Sequence, residues 1–389
     1  MTVTPQLSRL PGTAADASLR ALTRGGVSVW LDQRPGDGPP AALVRGRYVT
    51  GVLHDPARLT GPAREGPLRK LARRGLRAEA ALRALTVHDV RWACDMLRPV
   101  HEATAGVDGL VALALDPRLA HDAAATLREA RRLWRATDRP NAVLAVPATD
   151  AGLDALAAAL AEGINAGATH VFTPERYEQA AEAYLTGLAG ARAAGRHPAT
   201  LASFAAVPVT PLDTAVDALL DRDGTCEAKA MRGTAAVSTA RLVHERHERL
   251  LDRPRWHALA ARGARPQRLL WTATCVRDPV LPATRYADRL TARGTACALT
   301  EETLRAVADH GRAVPRSWGA RDYADARRLL GHLDWFGIDR DALARRLESE
   351  SLRAAEARWH ALLDSVETAV SAPGELPRAE GALRGGGAR

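Results

Sequence analysis

The sequence predicts an α/β protein, a (β/α)8 TIM barrel with additional helices, on three observations. Short apolar runs alternate with longer stretches rich in Ala, Leu, Arg and Glu, the pattern of βα units around a parallel sheet. Eight such runs occur, at 26–32, 48–54, 109–116, 141–147, 167–172, 200–207, 268–274 and 294–299. A chain of 389 residues with 46% hydrophobic content can also bury one large core as a single domain.

Each run has a legible character. In the first, Trp30 and Asp32 lie two residues apart, so strand alternation sends both to the same face. The second ends in Leu53, His54 and Asp55 ahead of Pro56, and Asp before Pro is also a common turn pair. The third and fourth are almost wholly apolar and carry Ala114 and Ala145 near their ends. The fifth carries Gly167 and Thr169; His170 follows, and alternation turns it toward the helix layer as a core histidine. The sixth includes Ala206, with Pro211 beyond it. The seventh leads into Cys275 and Arg277, and the eighth carries Cys297. Between runs, Ala151–Glu162 and Pro174–Ala194 repeat apolar residues at three-to-four spacing, as amphipathic helices do. Residues 1–19 are expected to be a flexible leader, 20–371 one barrel domain, and 372–389, rich in Pro, Gly and Arg, a disordered tail.

Composition narrows the function class. No stretch of 18 or more apolar residues is present, so no membrane helix is expected. The N-terminus lacks the charged-then-apolar pattern of a secretion signal. Cys94, Cys226, Cys275 and Cys297 form no C-x-x-C pair, which suits free thiols in a reducing cytoplasm. The net charge of +9 comes from dispersed Arg with only 4% aromatic residues, so no nucleic-acid partner is expected. No glycine-rich phosphate loop follows a strand, and no cofactor is expected. His244 and His247 lie three apart on a helix without a third ligand, so that face is read as solvated rather than metal-binding. The expected partner is a small molecule in the barrel mouth, with a homodimer as the candidate assembly.

Longer motifs carry a family likeness. Gly26-Val-Ser-Val-Trp-Leu-Asp32, Asp89-Val-Arg-Trp-Ala-Cys-Asp-Met-Leu-Arg-Pro99, Asp116-Pro-Arg-Leu-Ala-His-Asp122, Arg265-Pro-Gln-Arg-Leu-Leu-Trp271, Asp278-Pro279 and Ala308-Asp-His-Gly311 resemble bacterial transaldolases of the actinobacterial type. The resemblance runs across residues 20–370 with few gaps. Asn141-Ala-Val-Leu-Ala-Val-Pro-Ala-Thr149 is similar to the family's fourth strand, whose lysine forms a Schiff base with the sugar donor. Ala145 holds that lysine's place, and Lys70 and Lys229, the two lysines of the chain, fall in helical segments.

The resemblance implies a catalytic aspartate at Asp32, and it places Asp55 where relatives have an asparagine, with His54 beside it. Ala114 stands for a glutamate, Gly167 for an asparagine, Ala206 for a serine and Pro211 for a phosphate-binding arginine, while Thr169 is retained. Cys275 replaces a glycine and Cys297 an asparagine, and Arg277 stands near the family's phosphate position. These exchanges are expected to enlarge and dry the lumen. The resulting expectation is a barrel that is no longer a functional transaldolase. It is repurposed for isomerase, cyclase or lyase chemistry on a less polar substrate in specialised metabolism, with Asp32 and Asp55 as proton donor and acceptor and His54 orienting Asp55. Trp30, Ala114, Ala145, Gly167, Thr169, Cys275, Arg277 and Cys297 would line the substrate site. The alternatives are a non-catalytic binding or scaffold homologue, and residual aldol transfer without lysine.

Overall fold

The computed structural model describes residues 15–33, 49–56 and 62–371. Strands β1 (Ser28–Gln33), β2 (Gly51–His54), β3 (Leu110–Ala114), β4 (Ala142–Pro147), β5 (Ala166–Thr169), β6 (Phe204–Pro208), β7 (Arg268–Thr272) and β8 (Ala296–Leu299) close in sequence order into a parallel barrel. The helices are α1 (Ala15–Arg24), α2 (Pro62–Ala72), α3 (Ala78–Ala103), α4 (Ala123–Thr137), α5 (Asp150–Ala161), α6 (Pro174–Ala193), α7 (Thr210–Asp223), α8 (Cys226–Met231), α9 (Ala235–Leu251), α10 (Pro254–Ala260), α11 (Arg285–Arg289), α12 (Glu301–His310), α13 (Ala320–Leu333) and α14 (Arg340–Ser371). The (β/α)8 TIM barrel with additional helices is thus the observed architecture.

Period-two alternation divides each strand between two cores. Val29, Leu31, Val52, Val111, Leu113, Leu144 and Val146 join the layer between sheet and helices. Trp30, Leu110, Ala112, Val143, Phe204, Leu270, Ala296 and Ala298 fill the lumen. Two buried asparagines pin the strand starts: Asn141 Nδ2 donates to the Cys94 and Gly109 carbonyls, and Asn165 Nδ2 to those of Pro140 and Ala142. Beneath the lumen, Ser28 donates to Asp108 at 2.6 Å and Arg268 pairs with the same carboxylate at 3.1 Å.

Two elements differ from expectation for visible reasons. Strand β5 stops at Thr169 because His170 adopts φ +62°, which an extended strand cannot continue through. Helix α1 covers Ala15–Arg24 and buries Leu19, so residues 15–19 of the segment expected to be flexible are helical. Residues 1–14 of that segment, and the expected tail 372–389, lie outside the described residues.

Helix α14 positions the site. Its beginning (Arg340–Glu348) lies by Phe172, Thr173 and Leu212, at the ends of β5 and β6. Farther along, Trp359, Leu362 and Val366 pack on Leu68, Leu82 and Leu85 of α2 and α3. At 1.5 Å per residue its 32 residues span roughly 48 Å, long enough to cross the C-terminal end of the barrel.

Candidate active site

The C-terminal strand ends are where a barrel of this kind gathers its chemistry. Register places Ala114, Ala145 and Gly167 side by side on β3, β4 and β5. Below them the lumen is packed rather than open. Trp30 and Phe204 meet edge to face with centroids 5.7 Å apart, and both are fully buried. Gly167 has a packing reason, since a Cβ there would lie 2.6 Å from the Phe204 ring. Gly51 has the same relation to Trp30, at 2.4 Å. The expected enlarged lumen is therefore corrected: the two aromatic rings occupy the space that small residues leave.

Asp32 and Asp55 belong to neighbouring strands. Asp32 pairs in register with Leu53, and Asp55 lies two residues further toward the mouth, roughly 7 Å along the strand direction. Asp55 acts electrostatically on His170, which follows the non-adjacent strand β5. His170 was expected to face the helix layer, but its left-handed backbone breaks the alternation and brings the ring to the mouth. Burial lowers the imidazole pKa to about 4, Arg358 of α14 lowers it too, and Asp55 opposes both. Thr169 Oγ1 and His170 Nδ1 are 2.9 Å apart. His170 and Arg358 were missed in the sequence because a single left-handed residue and a helix crossing the mouth leave no periodic signal.

The other expected site residues are not gathered there. His54 alternates with lumen-facing Leu53 and so points at α3, where Nε2 is 4.0 Å from Asp89. That placement takes it away from the role of orienting Asp55. Cys297 belongs to the layer between sheet and helices, while its neighbours Ala296 and Ala298 face the lumen. It is not a lumen-lining residue, and burial pushes its thiol up to about 12. Cys275 and Arg277 are exposed on the loop after β7. That loop is tied down by Thr210 Oγ1 to the Cys275 carbonyl (2.7 Å) and by Arg232 to Asp278. Ala273, with φ +51°, sets its exit from the strand.

A cavity of about 220 Å³ opens beside the ends of β2 and β3, between Pro56, Ala114, Asp116 and the α14 residues Trp359 and Leu363. Arg118 in its wall is held by Asp116 (2.6 Å) and Glu79 (3.0 Å), so its charge is already matched. Among the described residues no group of three or more His, Cys, Asp or Glu is arranged to hold a metal. No helix among them is long and apolar enough to cross a membrane.

Comparison with known proteins agrees with this architecture. The family model described as transaldolase/fructose-6-phosphate aldolase matches residues 61–366. A transaldolase of Acidothermus cellulolyticus is 46% identical over 359 residues, covering 90% of this chain and 95% of the relative. One from a Parafrankia species is 44% identical over 90% of this chain and 96% of its own. One from Thermobifida fusca is 44% identical over 91% and 98%. These likenesses overturn the expectation of a barrel repurposed for isomerase, cyclase or lyase chemistry, and with it that of a non-catalytic homologue. Relatives alike from end to end at this level bear the name transaldolase, which points to a transaldolase and not to a pseudoenzyme.

Proposed function

We propose a transaldolase-class function for this chain, which belongs to the transaldolase/fructose-6-phosphate aldolase family: carbon–carbon bond transfer between phosphorylated sugars at the barrel mouth. The observation that carries it is the likeness to named transaldolases over nine tenths of the chain and nearly their whole length. Four cysteines, all free, suit a cytoplasmic site of action.

The mouth supplies polar groups for such a ligand. Asp32 and Asp55 offer carboxylates for proton transfer and for sugar hydroxyls. His170 is neutral near pH 7, because its pKa is held near 4. In the tautomer in which Thr169 donates to Nδ1, its Nε2 carries the proton and can donate to a carbonyl or hydroxyl oxygen. Arg277 and Arg358 place positive charge at the rim for the phosphate. The β4 position carries the Ala145 methyl group, and Lys70 and Lys229 are exposed on α2 and α8.

The test is transfer from fructose 6-phosphate to erythrose 4-phosphate by the purified full chain, with borohydride added in parallel and any adduct located by peptide mapping. Saturable turnover is expected, falling about tenfold or more in Asp32→Asn and in His170→Gln. A wild-type chain that transfers no sugar unit at any enzyme concentration overturns the reading.

A further inference from the structure

A second pocket lies on the flank of the barrel, away from the mouth residues, and its lining is mostly arginine. It has a volume of about 400 Å³, within the range of about 300–1,000 Å³ typical of small-molecule sites. Arg241 of α9, Arg285 and Arg289 of α11, and Arg312 and Arg316 beyond α12 converge on it, with Asp288 the one acidic residue in its wall.

The charges are only partly matched within the protein. Asp288 is engaged by the Thr284 hydroxyl (2.7 Å) and the Arg312 backbone N–H (2.8 Å), not by a guanidinium. Arg316 chelates Asp322 with bonds of 2.9 and 2.5 Å, and Arg241 reaches that same carboxylate only at 3.8 Å. Among the described residues, Arg289 and Arg312 make no ion pair. Among the described residues the buried Nε atoms of Arg241 and Arg285 have no acceptor, although Arg285 Nη2 donates to the Gly233 carbonyl. Burial lowers the Arg241 pKa; Asp322 opposes this, and the guanidiniums of Arg316 and Arg289 reinforce it. Like charges crowded in one wall, with Arg241 and Arg285 partly buried, are unfavourable unless an anion joins them.

The frame is braced. Thr291 Oγ1 donates to the Val314 carbonyl at 3.1 Å, and Arg316 N–H donates to the Thr291 carbonyl at 3.2 Å, holding 312–316 against the approach to β8. Arg241 also lies over the Trp318 ring at 5.9 Å.

We propose that this pocket binds a polyphosphate chain, the shared chemistry of inorganic polyphosphates and nucleotide triphosphates, at a site distinct from the barrel mouth. Several convergent guanidiniums suit several linked phosphates better than a single one, since each planar fork can take two oxygens. The site does not depend on the transaldolase reading.

Calorimetry of the full chain with inorganic tripolyphosphate, against sulfate at matched ionic strength, tests it, with ATP as a second arm. One saturable site per chain is expected for tripolyphosphate, weakening as salt is raised. Arg289→Gln/Arg312→Gln should weaken it at least about tenfold with an unchanged circular dichroism spectrum, whereas Arg289→Lys/Arg312→Lys, which keeps the charge but not the fork, should weaken it less. ATP binding as tightly as tripolyphosphate identifies the phosphate chain as the recognised part; tighter ATP binding lost in the same Gln pair adds the nucleoside to it. No saturable binding, binding indifferent to the Gln pair, or binding lost in Arg277→Gln instead overturns the proposal.

Discussion

Asp55 and His170 interact across the barrel mouth although strands β3 and β4 stand between the elements that carry them. The imidazole is pulled toward a low pKa by burial and by Arg358, and the Asp55 carboxylate is the counterweight. Asp55→Asn should therefore make His170 titrate below about 4, and Arg358→Gln should make it titrate higher. Imidazole NMR shifts followed against pH read both directions. If the His170 signal is indifferent to Asp55, the two do not share the mouth, and Asp55 reverts to a turn residue before Pro56.

The eight strands were legible in the sequence to within a few residues because each is a short apolar run punctuated by turn residues. Alternation accounts for the lumen set wherever the backbone stays extended: it gave Trp30, and Ala145 and Gly167, placed by the resemblance, obey it too. Alternation failed at His170 because a single left-handed residue reverses the direction of the side chain. The resemblance put Cys297 in the lumen, but its neighbours Ala296 and Ala298 hold the inward positions. His54 was placed beside Asp55 by sequence adjacency, although adjacent strand residues face opposite ways. Arg358 was invisible because tertiary packing alone carries α14 over the mouth. Likeness along nine tenths of the chain speaks for the family's function more strongly than the lumen exchanges speak against it.

Gly167 and Phe204 form a close-fitted pair, and substitution tests it. Gly167→Ala puts a Cβ 2.6 Å from the aromatic ring, so the ring must shift into a lumen already holding Trp30. A loss of about 1–3 kcal/mol is expected from overpacking, read as a lower urea midpoint with an unchanged slope. Phe204→Ala should cost more, about 3–5 kcal/mol, because it leaves a cavity between Trp30 and Gly167. In the double variant the losses should be less than additive, since the added methyl enters the vacated space. Strict additivity would show that the two residues do not pack on each other.

Asp108 offers a contrast at the opposite end of the barrel. It accepts from Ser28 at 2.6 Å and from Arg268 at 3.1 Å, joining the β1 and β7 starts to the loop before β3. Removing the carboxylate leaves the largely buried Arg268 guanidinium without its ion-pair partner. Asp108→Ala should therefore destabilise the fold by about 3 kcal/mol while leaving turnover per folded molecule unchanged, the reverse of the pattern expected for Asp32→Asn. Turnover that falls while the melting temperature holds would mean that Asp108 serves the chemistry and not the frame.

His244 and His247 do not form the solvated face expected of them, since His244 is buried against Tyr323 and His247 bonds to Tyr177, and acid should loosen the fold through such histidines. His247 on α9 is driven to about 3, chiefly by burial and then by His244, and His170 to about 4. Both values lie below the ordinary 6.5, so the unfolded chain binds more protons than the folded chain once the pH falls through 6.5. Stability is therefore lost on acidification from pH 6.5 to about 3. Asp217 works in the opposite direction: burial raises its pKa from 3.8 to about 6, so the folded chain holds the extra proton there and gains stability as the pH falls. Burial also lowers His101 and His244 and raises Asp213 and Glu348, so with four histidines against three carboxylates the melting temperature should drop between pH 6.5 and about 4. His247→Gln, which keeps a polar group opposite the Tyr177 hydroxyl now 2.6 Å from Nδ1, should flatten that drop, and Asp217→Asn should steepen it. A melting profile in which His247→Gln follows the wild type at every pH would remove His247 from the acid response.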